Sequence, residues 1–564
     1  MAAMGLGAMD KNELARIETA EGSFQDRNSG QDENTFNLEH AATFQTTFDP
    51  VAEGKLYQDG QLIVMPAATR DPKDPMNLPL NRRILGVFCL SFFGALAASA
   101  EIILGACLPV FALEYAGIDP AKYILAITPF PIGFNPLATL NMFPNAAPIF
   151  EVYLLGALPL LMIGVCNLFF IPLAISMGRR PVLLITGLIA LGGIVWAGES
   201  RSLQSHIAAR CVQAVGAGTV ESLIPFIIQD MIPVHQRNTW ISAAFAAQGV
   251  IIIAVGFAAP TIIVHLSWRW VYFVTAIAGA VFLVGVFLFM PETRWPRTRA
   301  EMNGIPRDDA NIEYTPRTWK LDLAVKVGKT DWKKGWNAFV DTLRVFFYPQ
   351  VFFVTMFNGA MISSAFSASY VAAPALLTSP WAWNFLNLGY SLVAVLVAAL
   401  LVGFVTGGLA DVLANSVAKK RGTRVPENQL INLILPGILG ILGTVLFGIA
   451  GNDPQKYHWI VFLLGLGFMA FGFLGTSAIG TVYVLECYPH LAGPALVSIA
   501  SFRFIIAFLL TLYGVDFILW YGYAVTFAGI YGSIIAGFML LLPLVYIYGP
   551  AWRRRWPATK YGDQ

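Results

Sequence analysis

Charge is scarce in this chain. Of its 564 residues only 12% are Asp, Glu, Lys or Arg, about half the share found in soluble globular proteins, and 56% are hydrophobic. Such a chain cannot cover its own surface in water, so a soluble domain is excluded. Cysteine and histidine are also few, at five and six residues. Cys89, Cys107, Cys166, Cys211 and Cys487 lie in or beside apolar runs, at spacings that fit neither a disulfide framework nor a metal site, and they read as small core residues. The histidines are scattered. No nucleophile–base spacing, phosphate loop or histidine cluster is present, which argues against an enzyme and implies no cofactor. The start of the chain lacks the apolar stretch of a cleaved secretory leader.

What the chain does have is apolar runs long enough to cross a bilayer core of about 30 Å, which takes about 20 helical residues. Lipid offers no hydrogen-bond partners, and the runs lack the alternation of barrel strands, so they must be helices. Six spans are expected at about 84–110, 152–175, 181–198, 204–229, 240–265 and 270–290, and six more at about 349–376, 386–410, 429–450, 459–484, 493–516 and 523–547. The expected fold is an all-α polytopic membrane protein, with twelve transmembrane helices in two six-helix bundles, residues 81–290 and 348–548. A polar tail over 1–80 is expected to be disordered. A proline-rich outer loop spans 111–151, a basic cytosolic linker 291–347, and a cytosolic tail 549–564. Within the linker, Trp332 to Leu343 predicts an amphipathic helix lying on the inner surface. Arg82, Arg83, Arg179, Arg180, Arg237, the linker, Lys419 to Arg424 and Arg553 to Arg555 all fall on one side. That asymmetry puts both termini in the cytosol. Two similar halves place a substrate site between them, near the midplane.

Ionisable groups inside spans are costly and therefore point to function. Glu101 lies roughly 27 Å along the first helix from Arg83, and Arg210 lies roughly 30 Å along the fourth from Asp230, at a similar height. The two can face each other, either as a proton-loading carboxylate tuned by a guanidinium or as a static pin between helices. Glu221 sits roughly 14 Å from Asp230, close to the midplane. It reads as a titrating carboxyl that binds a cation or carries a proton, or as a protonated structural group. Arg503 is the strong cation deep in the second half, with Glu486 at the inner end of the tenth span; substrate contact and a fixed clamp are both open. Tyr370, Trp381 and Trp383 offer aromatic surface to a ligand, or, for the tryptophans, an interfacial belt. Gly178, Arg179, Arg180, Asp230, Arg237 and Asp411 mark inner helix ends, where they serve as a gate or only as a topology signal. Glycines such as Gly216, Gly218, Gly249, Gly256 and Gly403 permit close helix contact.

Taken in order, several short patterns resemble the major facilitator superfamily, and within it the fungal twelve-span drug:proton antiporters, over roughly 70–550. They are Asp71-Pro72-x-x-Pro75-x-Asn77, Gly178-Arg179-Arg180-Pro181, Arg210-x-x-Gln213-x-x-Gly216, Asp230 with Arg237, Trp268-Arg269-Trp270 and Pro291-Glu292-Thr293-Arg294. The resemblance implies rocker-switch transport, a role for Arg210 in proton coupling, an inner charge relay of Arg180 with Asp230 and Arg237, and Glu221 lining the cavity. The family's inner-loop Asp is replaced by Ile175. Its helix-five signature Gly-x-x-x-Gly-Pro is broken, with Val250 after Gly249 and Ala259 before Pro260. The expectation is a monomeric, proton-driven exporter of xenobiotics or secondary metabolites in a fungal plasma membrane, or alternatively a vacuolar one. Its partners are the lipid bilayer, a small-molecule substrate and protons, with no nucleic acid. Proton-driven uptake of a polyamine-like cation and a transport-dead sensor on the same fold are the rivals.

Overall fold

The computed structural model describes residues 66–117, 120, 149–298, 301, 313–405, 426–488 and 491–556, with backbone only at 57–58, 61–62, 98–104, 106, 149, 221, 234–239, 242, 245–246 and 492. Among the described residues, twelve helical segments are long and apolar enough to cross a membrane, so the chain is a multi-pass membrane protein. Six come first: α1 (Leu80–Tyr115), α2 (Ile149–Met177), α3 (Arg179–Glu199), α4 (Leu203–Met231), α5 (Val234–His265) and α6 (Trp268–Phe289). Two short helices follow, α7 (Trp319–Leu323) and α8 (Trp332–Phe346). The second set is α9 (Pro349–Leu377), α10 (Leu392–Val402, entered through a 3-10 segment Phe385–Ser391), α11 (Ile434–Asn452), α12 (Trp459–Cys487), α13 (Ala492–Thr511) and a broken final span. That last span is α14 (Gly514–Tyr523), a π-helical stretch Ala524–Tyr531 and α15 (Gly532–Arg555). Among the described residues the extended pairing is limited to Tyr57–Gln58 against Gln61–Leu62.

Local chemistry sets several ends. The Ser202 side chain caps α4 by accepting from Ser205 N, Asp331 caps α8 by accepting from Lys334 N at 3.1 Å, and Pro349 sits in the first turn of α9, where its missing N–H costs nothing. Pro233 separates α4 from α5. The backbone leaves the helix at Gly522, with φ of +80°, so a new helical piece starts near 523, where the last span is expected to begin.

The helices turn alternately, and one end of the assembly carries Arg82, Arg179, Arg180, Asp230, α7, α8 and Arg553. We call it the basic end. Between the bundles, α1 meets α9, α2 meets α13, and α5 meets α10 with its 3-10 entry. The tightest approaches lie from mid-depth to the opposite end. A Cβ on Gly164 of α2 would sit 2.6 Å from the Ser501 carbonyl oxygen of α13, and one on Gly389 would sit 2.9 Å from the Phe257 carbonyl oxygen of α5. Gly105 of α1 abuts the Ser369 carbonyl of α9 in the same way. Only glycine lets these backbones touch.

The segment 66–78 corrects the expectation of a disordered tail running to residue 80. Asp74 is fully buried. It accepts from Thr69 N at 3.0 Å, Thr69 Oγ1 at 2.9 Å and Met76 N at 2.9 Å, and it pairs with Arg297 at 2.7 Å. Arg297 also donates to the Ala67 carbonyl at 2.8 Å. Asp322 of α7 is held by Arg82 at 2.5 Å and by Arg317 at 2.8 Å. A polar stretch becomes ordered because a buried ion pair joins it to residues more than two hundred positions away. At the other end of the chain, Arg553 grips Glu427 with two bonds, of 3.0 and 2.7 Å, which fastens α15 to the second bundle.

Candidate functional site

At the basic end, Gly178 has φ of +118°, a conformation that favours glycine. This turn aims the first N–H groups of α3 at Glu292, which accepts from Arg179 N at 2.9 Å and Arg180 N at 3.2 Å. A carboxylate there satisfies orphan donors and faces the positive end of the helix dipole. Thr293, next in the chain, donates to Asp230 Oδ2 at 3.1 Å, and Arg294 donates to the Ser176 carbonyl at 2.6 Å. The motif 291–294 therefore staples the α2–α3 turn and the end of α4 to the end of α6. Glu292 is a site residue that the candidates drawn from the sequence left out, although its motif was visible.

The two arginines of the turn divide the work differently from the expected relay. Asp230 pairs with Arg179 at 2.9 Å. Arg180 points the other way and is buried. It donates to the Met290 and Phe287 carbonyls at 2.7 Å each and to the Asp322 carbonyl, and its guanidinium lies 5.2 Å above the Phe287 ring. Arg180 thus caps the C-terminus of α6, and the partner of Asp230 is Arg179. Successive helical residues point about 100° apart, so only one of the two can face α4. The Arg237 side chain and all of Asp411 lie outside the described residues.

Deeper in the first bundle, Arg210 of α4 is fully buried. Its NH1 donates to Gln213 Oε1 at 2.9 Å and its Nε to the Leu155 carbonyl of α2 at 3.4 Å. Gln213 Nε2 donates to the Ala97 carbonyl of α1 at 3.0 Å. The pair therefore spans three helices and addresses α1 one turn before Glu101. The Glu101 and Glu221 side chains lie outside the described residues, so the Glu101–Arg210 pairing is not among the described contacts.

One turn toward the opposite end, His206 occupies an aromatic cage. Its ring nitrogens lie 2.9 Å from Tyr115 Oη and 3.0 Å from Tyr272 Oη. The ring stacks on Trp268 at 5.3 Å and meets Phe111 edge-on at 4.9 Å. Arg269 pairs with Glu114 at 3.1 Å, and its guanidinium lies 4.2 Å from the centre of the Trp268 ring. This is what Trp268-Arg269 does: it pins the start of α6 to the end of α1 and the start of α4. No sequence spacing singled out His206.

In the second half, Tyr370 of α9 is buried and reciprocates with α2. Its hydroxyl donates to the Gly156 carbonyl at 3.3 Å, and its own carbonyl accepts from Tyr153 Oη at 3.3 Å. It therefore belongs to the contact between bundles near the opposite end. The Arg503 guanidinium lies 5.0 Å above the Phe504 ring, while Glu486 accepts from Gln429 at 3.3 Å. Trp381 donates to the Tyr457 carbonyl at 3.0 Å and Trp383 packs on Trp459 at 5.0 Å, both within the second bundle.

Sequence reasoning also passed over a set of neutral polar groups. Asn358 of α9 accepts from Ser477 of α12 at 2.9 Å, and its Nδ2 has no partner among the described residues. The same holds for Asn167 Oδ1 of α2 and for the Ser498 and Ser501 hydroxyls of α13. Because α2 and α13 run antiparallel with Gly164 against Ser501, Asn167 and Ser498 share a level near mid-depth. Isolated amides and hydroxyls in apolar helices were the available signal. Buried polar groups left unsatisfied are expensive, and they suit a surface that trades partners with water or cargo.

The Major Facilitator Superfamily profile matches residues 90–511. The multidrug transporter TPO1_2 of Candida glabrata is 23% identical over 504 residues, covering 86% of this chain and 78% of that protein. The MFS-type transporter mpsC of Macrophomina phaseolina is 23% identical over 506 residues, covering 87% and 89%. The human organic anion transporter MFSD10 superposes with a TM-score of 0.51 at 15% identity, over 82% of this chain and all of that one (100%). The xylose transporter XylE from E. coli gives 0.50 at 14%, over 82% and 99%. At these identities the solved structures speak for the fold alone. With the family profile spanning most of the chain, and twelve helices in two bundles around mid-depth polar groups, the protein belongs to the Major Facilitator Superfamily.

Proposed function

We propose that this transporter couples the export of small organic molecules, xenobiotics or secondary metabolites, to proton entry across a fungal plasma membrane, with both termini cytosolic. The observation that carries the reading is the Arg210–Gln213 pair, fully buried and bonded to the α1 backbone at Ala97, one turn from Glu101. A guanidinium held there favours the charged form of a neighbouring carboxyl and releases it when a proton binds. The contact of α1, α2 and α5 with α9, α13 and α10 supplies the seal that closes one end while the other is open. Glu221 is assigned to proton or cation binding on its place in the α4 sequence alone, and Asn167, Asn358 and Ser498 offer neutral hydrogen bonds to cargo. The fungal relatives include proteins described as multidrug transporters, which supports export of varied molecules.

The test uses full-length protein in proteoliposomes with an imposed pH gradient and a fluorescent cationic dye such as ethidium. Arg210→Lys and Glu101→Gln are expected to lower gradient-driven flux at least tenfold, while dye exchange without a gradient survives. Unchanged gradient-driven flux in both variants would overturn the coupling role. The second reading is proton-driven uptake of a polyamine-like cation. It is favoured by the replaced glycine–proline signature of α5, where Val250 and Ala259 stand. Reversing the gradient in the same vesicles separates the two directions.

A further inference from the structure

The helix α8 has three faces, and the bundles explain only one. Gly335, Thr342 and Val345 are buried. Gly335 lies against Ser176 and Pro172 of α2, and Phe346 stacks on Phe502 of α13 at 3.9 Å. The helix is thus wedged against one helix of each bundle, at the seam where the two halves meet. Its second face is aromatic and exposed: Trp332 and Trp336 are each 66% exposed, and Phe347, just past the helix end, is 74% exposed. This stripe continues onto the membrane-facing wall of α2, where Phe339 stacks on the exposed Phe169 at 5.6 Å. Phe169 lies roughly 12 Å along α2 from its basic end, the depth of an interfacial layer rather than of open water. Trp at that level is characteristic of a membrane interface.

The third face is basic. At 100° per residue, Lys333 and Arg344 fall within about 20° of each other on the flank of the aromatic stripe, and Lys334 lies further round. Lys320, Lys326 and Lys329 are exposed on the approach to this helix. Lys334 and Arg344 have weak intrahelical pairs with Asp331 and Asp341, at 3.9 and 3.8 Å. Burial raises the Asp341 pKa, with Arg344 pulling it back. The exposed Lys334–Asp331 pair contributes little.

We propose that α8 is an anionic-phospholipid site: Trp332, Trp336 and Phe339 enter the leaflet, and Lys333 and Arg344 on the flank hold headgroup phosphates. A helix seated on α2 and α13 at once is then held by lipid at the seam that rocking must shear. Anionic lipid therefore sets how firmly the two halves are joined. This rests on the arrangement of α8 alone and stands whichever substrate or coupling ion the transporter uses.

The test measures hydrogen exchange over 332–346 in full-length protein, reconstituted in phosphatidylcholine with and without 30% phosphatidylserine. The expected result is slower exchange in α8 with phosphatidylserine. Each Lys or Arg at an anionic surface contributes about fivefold to binding. The double variant Lys333→Gln, Arg344→Gln is therefore expected to bind phosphatidylserine about twenty-five-fold more weakly, by titration of delipidated protein in detergent. A matched control, Lys320→Gln, Lys326→Gln, removes the same charge away from the stripe and is expected to keep most of the response. Equal loss in variant and control would show diffuse electrostatics and overturn the site, as would protection of α8 that is the same in both lipids.

Discussion

Gly178 and Glu292 make a mutational pair whose effects should not add. Glu292 accepts two N–H groups at the start of α3 and a third from Arg294 N at 2.8 Å. Removing it in Glu292→Ala should cost about 3 kcal/mol, a cap of about 1 kcal/mol plus buried charge-assisted bonds of about 1.5 kcal/mol or more. In Gly178→Ala the backbone strain alone is about 1–3 kcal/mol. The new Cβ would also lie 2.9 Å from the Glu292 carboxyl carbon, so the carboxylate must move off the helix terminus. That brings the single substitution to about 4 kcal/mol. In the double variant the clash vanishes with the carboxylate, and the total should be about 5 rather than 7 kcal/mol, a coupling of about 2 kcal/mol. The assay is unfolding of full-length protein in mixed micelles by sodium dodecyl sulfate, with all four members of the cycle. Additivity within about 0.5 kcal/mol would refute the reasoning, because it would mean the two residues do not share the turn.

Asp230→Asn should change unfolding stability by no more than about 1 kcal/mol, since the Arg179 pair is partly solvent-exposed, yet lower dye flux in proteoliposomes if the pair works as a gate. Gly164→Leu should drive α2 away from the Ser501 carbonyl; spin labels at 266 and 386 report this as a longer distance across the opposite end. His206→Phe should cost about 2 kcal/mol by removing two hydroxyl bonds, measured as lowered thermal stability, with wild-type expression as the control for folding. Asp74→Asn should cost about 3 kcal/mol and speed proteolysis over 66–78, because it leaves the Arg297 guanidinium without its buried carboxylate.

The twelve spans were legible because hydropathy reports the solvent directly: lipid imposes long apolar helices whatever their packing. The helix over Trp332 to Phe346 was legible for the same reason, through its stripe of aromatics. What stayed hidden depends on contacts between distant residues or on rotation about a helix axis. Asp74 looks like a linker residue until Arg297 is placed beside it. Arg179 and Arg180 are chemically alike, and which of them meets Asp230 is decided by the phase of α3, set by the turn at Gly178. His206 carries no pattern, since its cage comes from α1, α4 and α6 together. Arg210 was found because a guanidinium in an apolar run stands out alone; its partner Gln213 was visible only through the motif that contains both.

The fastening of residues 67–74 to Arg297, and of Glu427 to Arg553, has a practical corollary. Each extremity of the folded chain is fastened to a different half of the molecule. A donor dye attached near residue 66 and an acceptor near residue 555 would behave as two pointers fixed to two moving plates. Their separation would follow the turnover cycle in single molecules without any probe placed inside the membrane.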